Sequence, residues 1–424
     1  GQEAWVDLWR RRRTARPKNP SRPRGSLVKG VAMRLAPLLA FSGLAGFIAC
    51  ATVPPTDPET GGSGLVGPGA PTPAPDASVT SQEDGSVTPN PALVTDAGGG
   101  DAASGQAADE GACPAGMKLV SGEYCTDVDY KCEKSWYAKW NKKTVCERFE
   151  EKSVCAGQKL KKRYCVDTYE WPNVKGERPE VMNRFHQAQL KCAAVGKRMC
   201  TESEWNMACE GPAMKPYPQG YARDSSQCNG DHKWDNPDMK KVAQRDPTEL
   251  ARLWKGVPSG SQPNCVSDYG VADMPGNTDE VVASEHHTQH DFRGKYDSVH
   301  TGGPWYEGVR NQCRPKVYTH DEGFYYYFLS FRCCAEADGK PTDPRTPKQI
   351  KEKWSVEKVE KLAGWTVAEV KEKLELKKQG KCTCGAKDAN CKTLCGTLLG
   401  SNAKDSVVGE KRGEFGSKSK DKQK

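Results

Sequence analysis

In the central part of the chain, one stretch has apolar residues at helical spacing. From about residue 183 to 195 the buried-type positions repeat every three or four residues: Phe185, Ala188, Cys192 and Val195. This spacing predicts a helix, and Gly196 supplies its C-terminal cap. Thr201 to Glu204 then form a capping box that predicts a second short helix as far as Cys209. After Gly211 few alternating runs remain, so an irregular fold is expected.

Two later segments also carry a readable pattern. The aromatic run 325–328 predicts a buried strand, although an exposed recognition surface is the other interpretation. Residues 348–378 contain a short repeat in which Trp354 and Trp365 begin similar amphipathic stretches. Ser355 and Thr366 are natural N-caps and Gly364 separates the two stretches, which predicts a helical hairpin.

Near the N-terminus, an apolar run from Leu35 to Ala49 follows Met33 and Arg34. A charged start, about 15 apolar residues and a small residue before the cleavage site are typical of a secretory signal peptide. The run is too short for a membrane-spanning helix, which needs ~20 apolar residues. Residues 47–50 resemble a bacterial lipobox, which implies lipidation of Cys50; cleavage as a plain signal peptide is the alternative. Residues 1–49 are therefore predicted to be an N-terminal extension followed by a signal peptide. If Met33 is the true start of the protein, residues 1–32 have no function. By resemblance to other lipoproteins, Ala51 after the Cys implies the outer membrane of the bacterial cell envelope over retention at the inner one.

Composition divides the rest of the chain. Residues 51–112 hold no Lys, Arg, Phe, Tyr or Trp, so they cannot offset the entropy of ordering. We expect 50–112 to be a lipid-anchored, disordered spacer, 113–337 a folded domain, 338–400 a separate helical tail with four cysteines, and 401–424 a disordered Lys-rich end. The formal net charge of +8 is the sum of +8 in residues 1–49, −8 in 50–337 and +8 in 338–424. This split removes the nucleic-acid partner that a uniformly basic domain would suggest.

Five segments of the domain match the motifs of one family in order. They are Cys165–Glu170 with Pro172–Asn173, Cys192–Trp205, Tyr269–Asn277, Gly302–Trp305 and Ser330–Cys333. Together they resemble the formylglycine-generating-enzyme (sulfatase-modifying factor) domain over about 170 residues. The resemblance implies an α+β, low-regularity fold related to C-type lectins.

The resemblance also implies two disulfides, Cys192–Cys333 and Cys209–Cys313. The 19 cysteines of the chain already indicate an oxidising compartment. Ten further cysteines of the domain are even in number, but the sequence does not assign their partners. In the tail, cysteines 382, 384, 391 and 395 are expected to form two disulfides, with a zinc site as the alternative.

A structural calcium site is implied at the family's Asn/Glu turn. The matching positions here are Asp273, Gly276, Thr278 and Glu280, and oxygen ligands of this kind suit Ca²⁺. A turn held by side-chain hydrogen bonds without metal is the other interpretation. Asn229 and Gly230 match the start of the family's other calcium site, whose later ligands are not recognisable.

The family's enzyme chemistry needs two cysteines in the loop after the paired glycines, because Cu(I) requires thiolate ligands. Here that loop, 302–313, contains Cys313 alone, which the resemblance assigns to a disulfide. Iron-dependent relatives take their iron-binding histidines mainly from a separate helical domain, and nothing in this sequence resembles it. The His286, His287 and His290 cluster with Asp291 is either a divalent-metal site or a solvated loop.

The sequence therefore predicts a membrane-anchored lipoprotein whose domain is non-catalytic and binds an envelope protein or polysaccharide. The competing interpretation is an oxidoreductase that uses copper or iron. The Lys-rich end either contacts anionic envelope polymers or is simply solvated.

Overall fold

The computed structural model describes residues 111–138, 142–285, 296–306, 308–341 and 355–406. Contacts divide the chain into residues 1–58 and 59–424, and the described residues all belong to the second unit. The predicted signal, Cys50, most of the spacer and the cluster of His286, His287 and His290 lie outside the described residues.

The described strands are short. They are β1 (Met117–Cys125), β2 (Val128–Asp129), β3 (Cys132–Ala138), β4 (Lys143–Phe149), β5 (Val154–Cys155), β6 (Lys159–Asp167), β7 (Arg198–Met199), β8 (Asp279–Ala283), β9 (Ser298–Thr301), β10 (Lys316–Val317), β11 (Leu329–Ser330) and β12 (Cys333–Glu336). The helices are α1 (Phe185–Ala194), α2 (Glu202–Glu210), α3 (Met239–Ala243), α4 (Pro247–Leu253), α5 (Val356–Ala363), α6 (Val367–Lys378) and α7 (Ala389–Cys395), with a 3-10 turn at Ala337–Gly339. Much of the described chain between them is loop, as the α+β, low-regularity prediction has it.

One four-stranded antiparallel sheet has the order β1-β6-β12-β7. Because successive side chains of a strand point to opposite faces, Tyr164 and Val166 of β6 enter the main core with Val120 of β1. Cys165 lies on the opposite face, where it packs with Met117. The register aligns Met117 with Asp167, so the first strand of the domain lies along its whole length beside β6.

The second sheet has the order β10-β9-β8-β11, in which only the β8–β11 pair is parallel. All five residues of β8 are buried. The predicted calcium-binding turn precedes β8, and the loop that begins with the paired glycines follows β9. Because β8 and β9 are neighbouring strands, these two segments lie side by side. Two-stranded ribbons, β2–β5 and β3–β4, complete the strand pairing in the described residues.

The two predicted domain helices are confirmed. Helix α1 ends at the Val195 cap, and Gly196 follows with φ +74°, the left-handed conformation that glycine adopts most easily. At the start of α2 the capping box is complete, because Thr201 Oγ1 accepts from Glu204 N and Glu204 Oε2 accepts from Thr201 N at 2.8 Å. In the described ranges, no helix combines the length and apolar character that crossing a bilayer requires.

The predicted strand at residues 325–328 is wrong, although the burial is right. These four aromatic residues are 3–8% exposed, yet β11 begins only at Leu329. Their backbone makes isolated bonds instead: Met182 N donates to Tyr326 O, and Asp279 N donates to Phe328 O. Burial of ring surface therefore does not require a strand ladder here.

The helical hairpin of the tail is present, but the tail is not separate from the domain. Ser355 caps α5, Thr366 caps α6, and Gly364 ends α5 with φ +74°. The pair packs against α1, because the apolar stripe of a short hairpin needs a second surface to cover it. The expected disorder from Ser401 onward is likewise corrected as far as Ser406, since Arg178 and Trp254 of the domain bind Asp405.

Nine disulfides pair all the cysteines from Cys113 onward. Within the domain they are 113–165, 125–155, 132–146, 192–333, 200–334, 209–313 and 228–265, and in the tail 382–395 and 384–391. Cys192–Cys333 and Cys209–Cys313 are the two pairs that the family resemblance implies. Three bridges close loops of more than 100 residues, each contributing roughly 4–5 kcal/mol in the chain-entropy account.

Candidate functional site

The loop from Gly302 to Cys313 stands where the family has its catalytic loop. Both glycines have left-handed φ values, +87° and +64°. A Cβ at Gly303 would lie 2.9 Å from the Arg310 carbonyl carbon, so only glycine fits where the loop turns back on itself. Trp305 N donates to Asn277 O at 3.2 Å, and His232 N donates to Trp305 O at 2.9 Å. The start of the loop is thus bonded on both sides.

The end of this loop is held by the Cys209–Cys313 disulfide. Its Cα atoms are 5.5 Å apart, and Cys313 N donates to Pro216 O at 3.0 Å. Because every cysteine in the described part of the chain is in a disulfide, no pair of thiolates is available there to bind Cu(I). The residues of this loop that the structure describes therefore do not fit the copper site of formylglycine-generating enzymes.

Aromatic rings surround Trp305, which is 2% exposed. Its centroid is 4.9 Å from Trp254, edge to face, and 6.2 Å from Tyr327. The neighbouring Tyr306 contacts Trp234 at 4.8 Å in a T-shaped arrangement. Trp234 and Tyr306 remain half-buried, so this aromatic group reaches the surface of the domain beside the loop.

Charged and imidazole groups lie behind the loop. Arg310 Nη1 donates to both carboxylate oxygens of Asp279, at 2.9 and 2.8 Å. His300 stacks on His320 with centroids 5.2 Å apart, and His320 stacks on Phe324 at 3.8 Å. Burial, followed by the charge of Arg310, lowers the pKa of His320 to about 4. Burial, with His320 and Arg310 as the next causes, lowers the pKa of His300 well below its usual range, so both rings are neutral at pH 7.

The turn predicted to bind calcium is buried immediately before β8. A Cβ at Gly276, which has φ +97°, would lie 2.6 Å from Asn229 O. Asp273 has φ +62°; its Oδ2 accepts from Gly260 N at 2.7 Å, and its Oδ1 has no hydrogen-bond partner. The pKa of Asp273 is raised to about 6, chiefly by burial and in small part by the Glu280 carboxylate, while the hydrogen bond from Gly260 N and the charge of Arg332 oppose the rise.

Glu280, the second carboxylate of the predicted site, is already neutralised by an arginine. Arg332 donates three hydrogen bonds to the two Glu280 oxygens at 2.7–3.0 Å, and Trp205 Nε1 adds a fourth at 3.0 Å. Arg332 and Glu280 are 0% and 1% exposed in this ion pair. The Thr278 hydroxyl donates to Glu170 Oε1 at 2.6 Å.

The calcium donor set is therefore met only in part. Asp273 offers a buried oxygen without a hydrogen-bond partner, whereas the Glu280 carboxylate is occupied by Arg332 and Trp205. Among the described residues, the one group of three His, Cys, Asp or Glu ligand atoms lying within 4.8 Å of one another is Cys384, Cys391 and Cys395, all of them in disulfides. Calcium binding stays a prediction.

The structure brings Asn229 to this same turn. Its Nδ2 donates to Asn277 Oδ1 at 3.1 Å and to Lys255 O at 3.0 Å, and its Oδ1 lies 2.6 Å from His232 Nε2. Gly230 follows it, half-buried beside Asn311. Asn229 braces the turn and uses its side-chain atoms in doing so.

Two buried carboxylates, Glu170 and Asp167, lie within the family motifs, but the sequence assigns them no role. Glu170 accepts from Asn277 Nδ2 at 2.9 Å as well as from Thr278, and burial together with Asp273 and Glu280 raises its pKa well above the usual value. Asp167 pairs with Lys197 at 2.5 Å and accepts from Cys333 N at 3.0 Å. Asp167 and Glu170 are the two charged residues of the motif Cys165–Glu170, and this is the signal that could have indicated both.

The family comparison covers the part of the chain that carries these features. Residues 124–337 match the sulfatase-modifying factor enzyme 1-like domain, which is half of the chain. The chain belongs to this family. No curated protein matches the chain.

Solved structures similar to this chain include three proteins of low sequence identity. PvdO from Pseudomonas aeruginosa is 15% identical with a TM-score of 0.32, covering 52% of this chain and 94% of that one. CarF is 14% identical with a TM-score of 0.34, covering 54% and 99%. Treponema denticola variable protein 1 is 13% identical with a TM-score of 0.30, covering 52% and 94%.

Proposed function

We propose that this chain is a lipid-anchored protein of the bacterial cell envelope, on the outer membrane. Its sulfatase-modifying-factor-like domain binds a ligand and does not catalyse a reaction. The observation that supports this most directly is the pairing of every described cysteine, Cys313 of the former catalytic loop included. A disulfide removes the thiolate character on which copper-dependent oxidation depends.

The loop has the properties of a binding surface. Its start is fixed by the backbone hydrogen bonds of Trp305 and its end by the Cys313 disulfide, and the half-buried ring of Tyr306 reaches the surface beside that of Trp234. Rings held rigidly at a surface provide large contact area at low entropic cost, which is the usual basis of recognition by loops on a fixed scaffold.

The direct test is an assay of copper-dependent oxidation of a cysteine-containing sulfatase-motif peptide by the purified full chain. We expect no turnover, with or without added copper, and no free thiols in the folded protein by thiol titration. Turnover that disappears in Cys313→Ser would contradict the proposal and identify an oxidoreductase. Turnover unaffected by Cys313→Ser would place the chemistry elsewhere in the chain and contradict the proposal equally.

Ligand binding is tested separately from catalysis. Trp234→Ala and Tyr306→Ala are expected to weaken capture of the envelope ligand, whereas Tyr137→Ala, in strand β3 and 43% exposed, is a matched control. Equal capture by all three variants would remove the loop surface from the proposal.

A further inference from the structure

The end of the described tail lies against the domain, where Ala403 N donates to Gly400 O at 3.1 Å to close a turn and residues 404–406 follow without regular structure. Arg178 Nε donates to Asp405 Oδ1 at 2.6 Å, and its Nη2 donates to Asp405 Oδ2 at 3.3 Å. The same guanidinium donates to Ala403 O at 2.6 Å and to Gly400 O at 3.3 Å. One arginine thus holds a carboxylate and two backbone carbonyls of a single peptide segment.

A second group on the domain recognises the same carboxylate. Trp254 Nε1 donates to Asp405 Oδ1 at 3.1 Å, and Ser406 N donates to Gly256 O at 3.0 Å. A side chain at Gly256 would overlap the Trp254 ring, so only glycine allows the backbone to lie this close to the indole. Fork-like contact from an arginine selects a carboxylate, and backbone hydrogen bonds bind a peptide largely regardless of its other side chains.

The groups that make these contacts are preorganised by the domain itself. Lys255 O accepts from Asn229, and Val257 N donates to Asn277 Oδ1 at 2.8 Å. Trp254 packs edge to face on Trp305 at 4.9 Å. The site therefore lies next to the loop from Gly302 to Cys313 and is connected to the buried turn.

The segment 400–406 is held less firmly than the rest of the tail. Upstream, Lys191 is 0% exposed and donates to Glu180 at 2.6 Å and to Thr393 O at 2.8 Å, and two disulfides close the chain around residues 382–395. In contrast, the Arg178 and Asp405 side chains are 28% and 31% exposed, and only Ala403 is buried between Ser401 and Ser406. The end can leave while the hairpin stays in place.

We propose that Arg178, the Trp254 indole and the Gly256 carbonyl form a receptor site for an aspartate-containing peptide, which the chain's own residues 400–406 occupy in cis. This narrows the ligand of the proposed binding function to an aspartate-bearing segment of an envelope protein, and it rests on that function. The cis segment acts as a competitor, so the partner must displace it.

The test uses the full chain and a fluorescein-labelled peptide of the sequence of residues 400–406, followed by fluorescence anisotropy. Wild type is expected to bind weakly, because its site is occupied. Asp405→Ala is expected to bind at least tenfold more tightly, because the cis segment loses its carboxylate. Arg178→Ala combined with Asp405→Ala is expected to lose this gain, and Lys404→Ala, an exposed neighbour, is expected to behave as wild type.

A peptide with asparagine in place of the aspartate separates recognition from nonspecific binding, and we expect it not to bind. Equal binding of the two peptides, or no gain in Asp405→Ala, would overturn the proposal. Hydrogen exchange at Ser406 N reports release directly and should be faster in Asp405→Ala; unchanged exchange would also contradict it. Binding of an acidic envelope polysaccharide in place of the peptide would overturn the peptide site while leaving the non-catalytic binding function standing.

Discussion

Replacing Glu280 by glutamine is expected to lower the free energy of unfolding by about 3–5 kcal/mol. The glutamine keeps the shape of the side chain but removes its charge. Arg332, which is 0% exposed and donates three hydrogen bonds to Glu280, would then lose its hydrogen-bonded counter-ion and keep only the weaker influence of the Glu170 and Asp273 carboxylates. The remaining Arg332 contacts are backbone carbonyls, such as Asp167 O at 3.2 Å, which carry no full charge.

The magnitude follows from burial, as a comparison with a surface pair makes clear. Lys134 and Glu147 form an ion pair of 3.2 Å with side chains 48% and 29% exposed. Glu147→Gln is therefore expected to cost less than about 1 kcal/mol and serves as the matched control. Urea denaturation followed by circular dichroism, with the disulfides intact, measures both variants.

A double-mutant cycle with Arg332→Met isolates the ion pair from the lost carbonyl contacts. We expect the double variant to be clearly more stable than the sum of the two single effects predicts. A cost below about 1 kcal/mol for Glu280→Gln, or additive single effects, would refute the assignment of Glu280 as the counter-ion of Arg332.

The same measurements decide the calcium prediction when they are repeated in excess Ca²⁺ and in chelator. A counter-ion role for Glu280 predicts the same loss of stability in both conditions. A calcium-ligand role predicts that Ca²⁺ stabilises wild type and that Glu280→Gln abolishes this stabilisation.

Three further predictions concern other parts of the chain. Burial raises the pKa of Glu180, but Lys191 and Lys377 lower it by more, so the pKa of Glu180 in the folded state lies below the usual value. The contribution of the ionised Glu180 to stability is therefore present above the unfolded pKa and is lost as pH falls through the folded pKa. Glu180→Gln should therefore lose less stability than wild type between pH 7 and pH 3 in urea titrations, and an equal acid loss would contradict the pairing. Replacing Cys209 and Cys313 together by serine should cost about 4–5 kcal/mol, because their bridge closes a loop of more than 100 residues; an unchanged melting temperature would contradict this. Metabolic labelling with a fatty-acid probe should mark wild type and not Cys50→Ala, and equal labelling would remove the lipid anchor.

Local signals in the sequence predicted the local structure well. The spacing from Phe185 to Val195 and the Thr201–Glu204 capping box each depend on residues three or four apart, and both helices form as expected. The aromatic run at 325–328 failed as a strand prediction because burial and strand pairing are separate properties, and only burial can be inferred from hydrophobicity.

Charged pairs that define the site could not be predicted because their partners are far apart along the chain. Arg332 and Glu280 are separated by 52 residues, and Arg178 and Asp405 by 227. No periodicity connects such positions; the tertiary fold alone brings them together. The family motifs located Glu280 and Arg332 individually but did not indicate that one neutralises the other.

The start of the domain has a mechanical consequence. Cys113 is bonded to Cys165 in β6, and Asp338 N donates to Ala112 O at 2.9 Å, so the chain enters the domain beside the point where it leaves. A pulling force on the residues before Cys113 passes through the sulfur bridge directly into the central strand of the sheet. The β1–β6 hydrogen bonds therefore lie outside the path of such a force, which would leave the antiparallel strand pair intact.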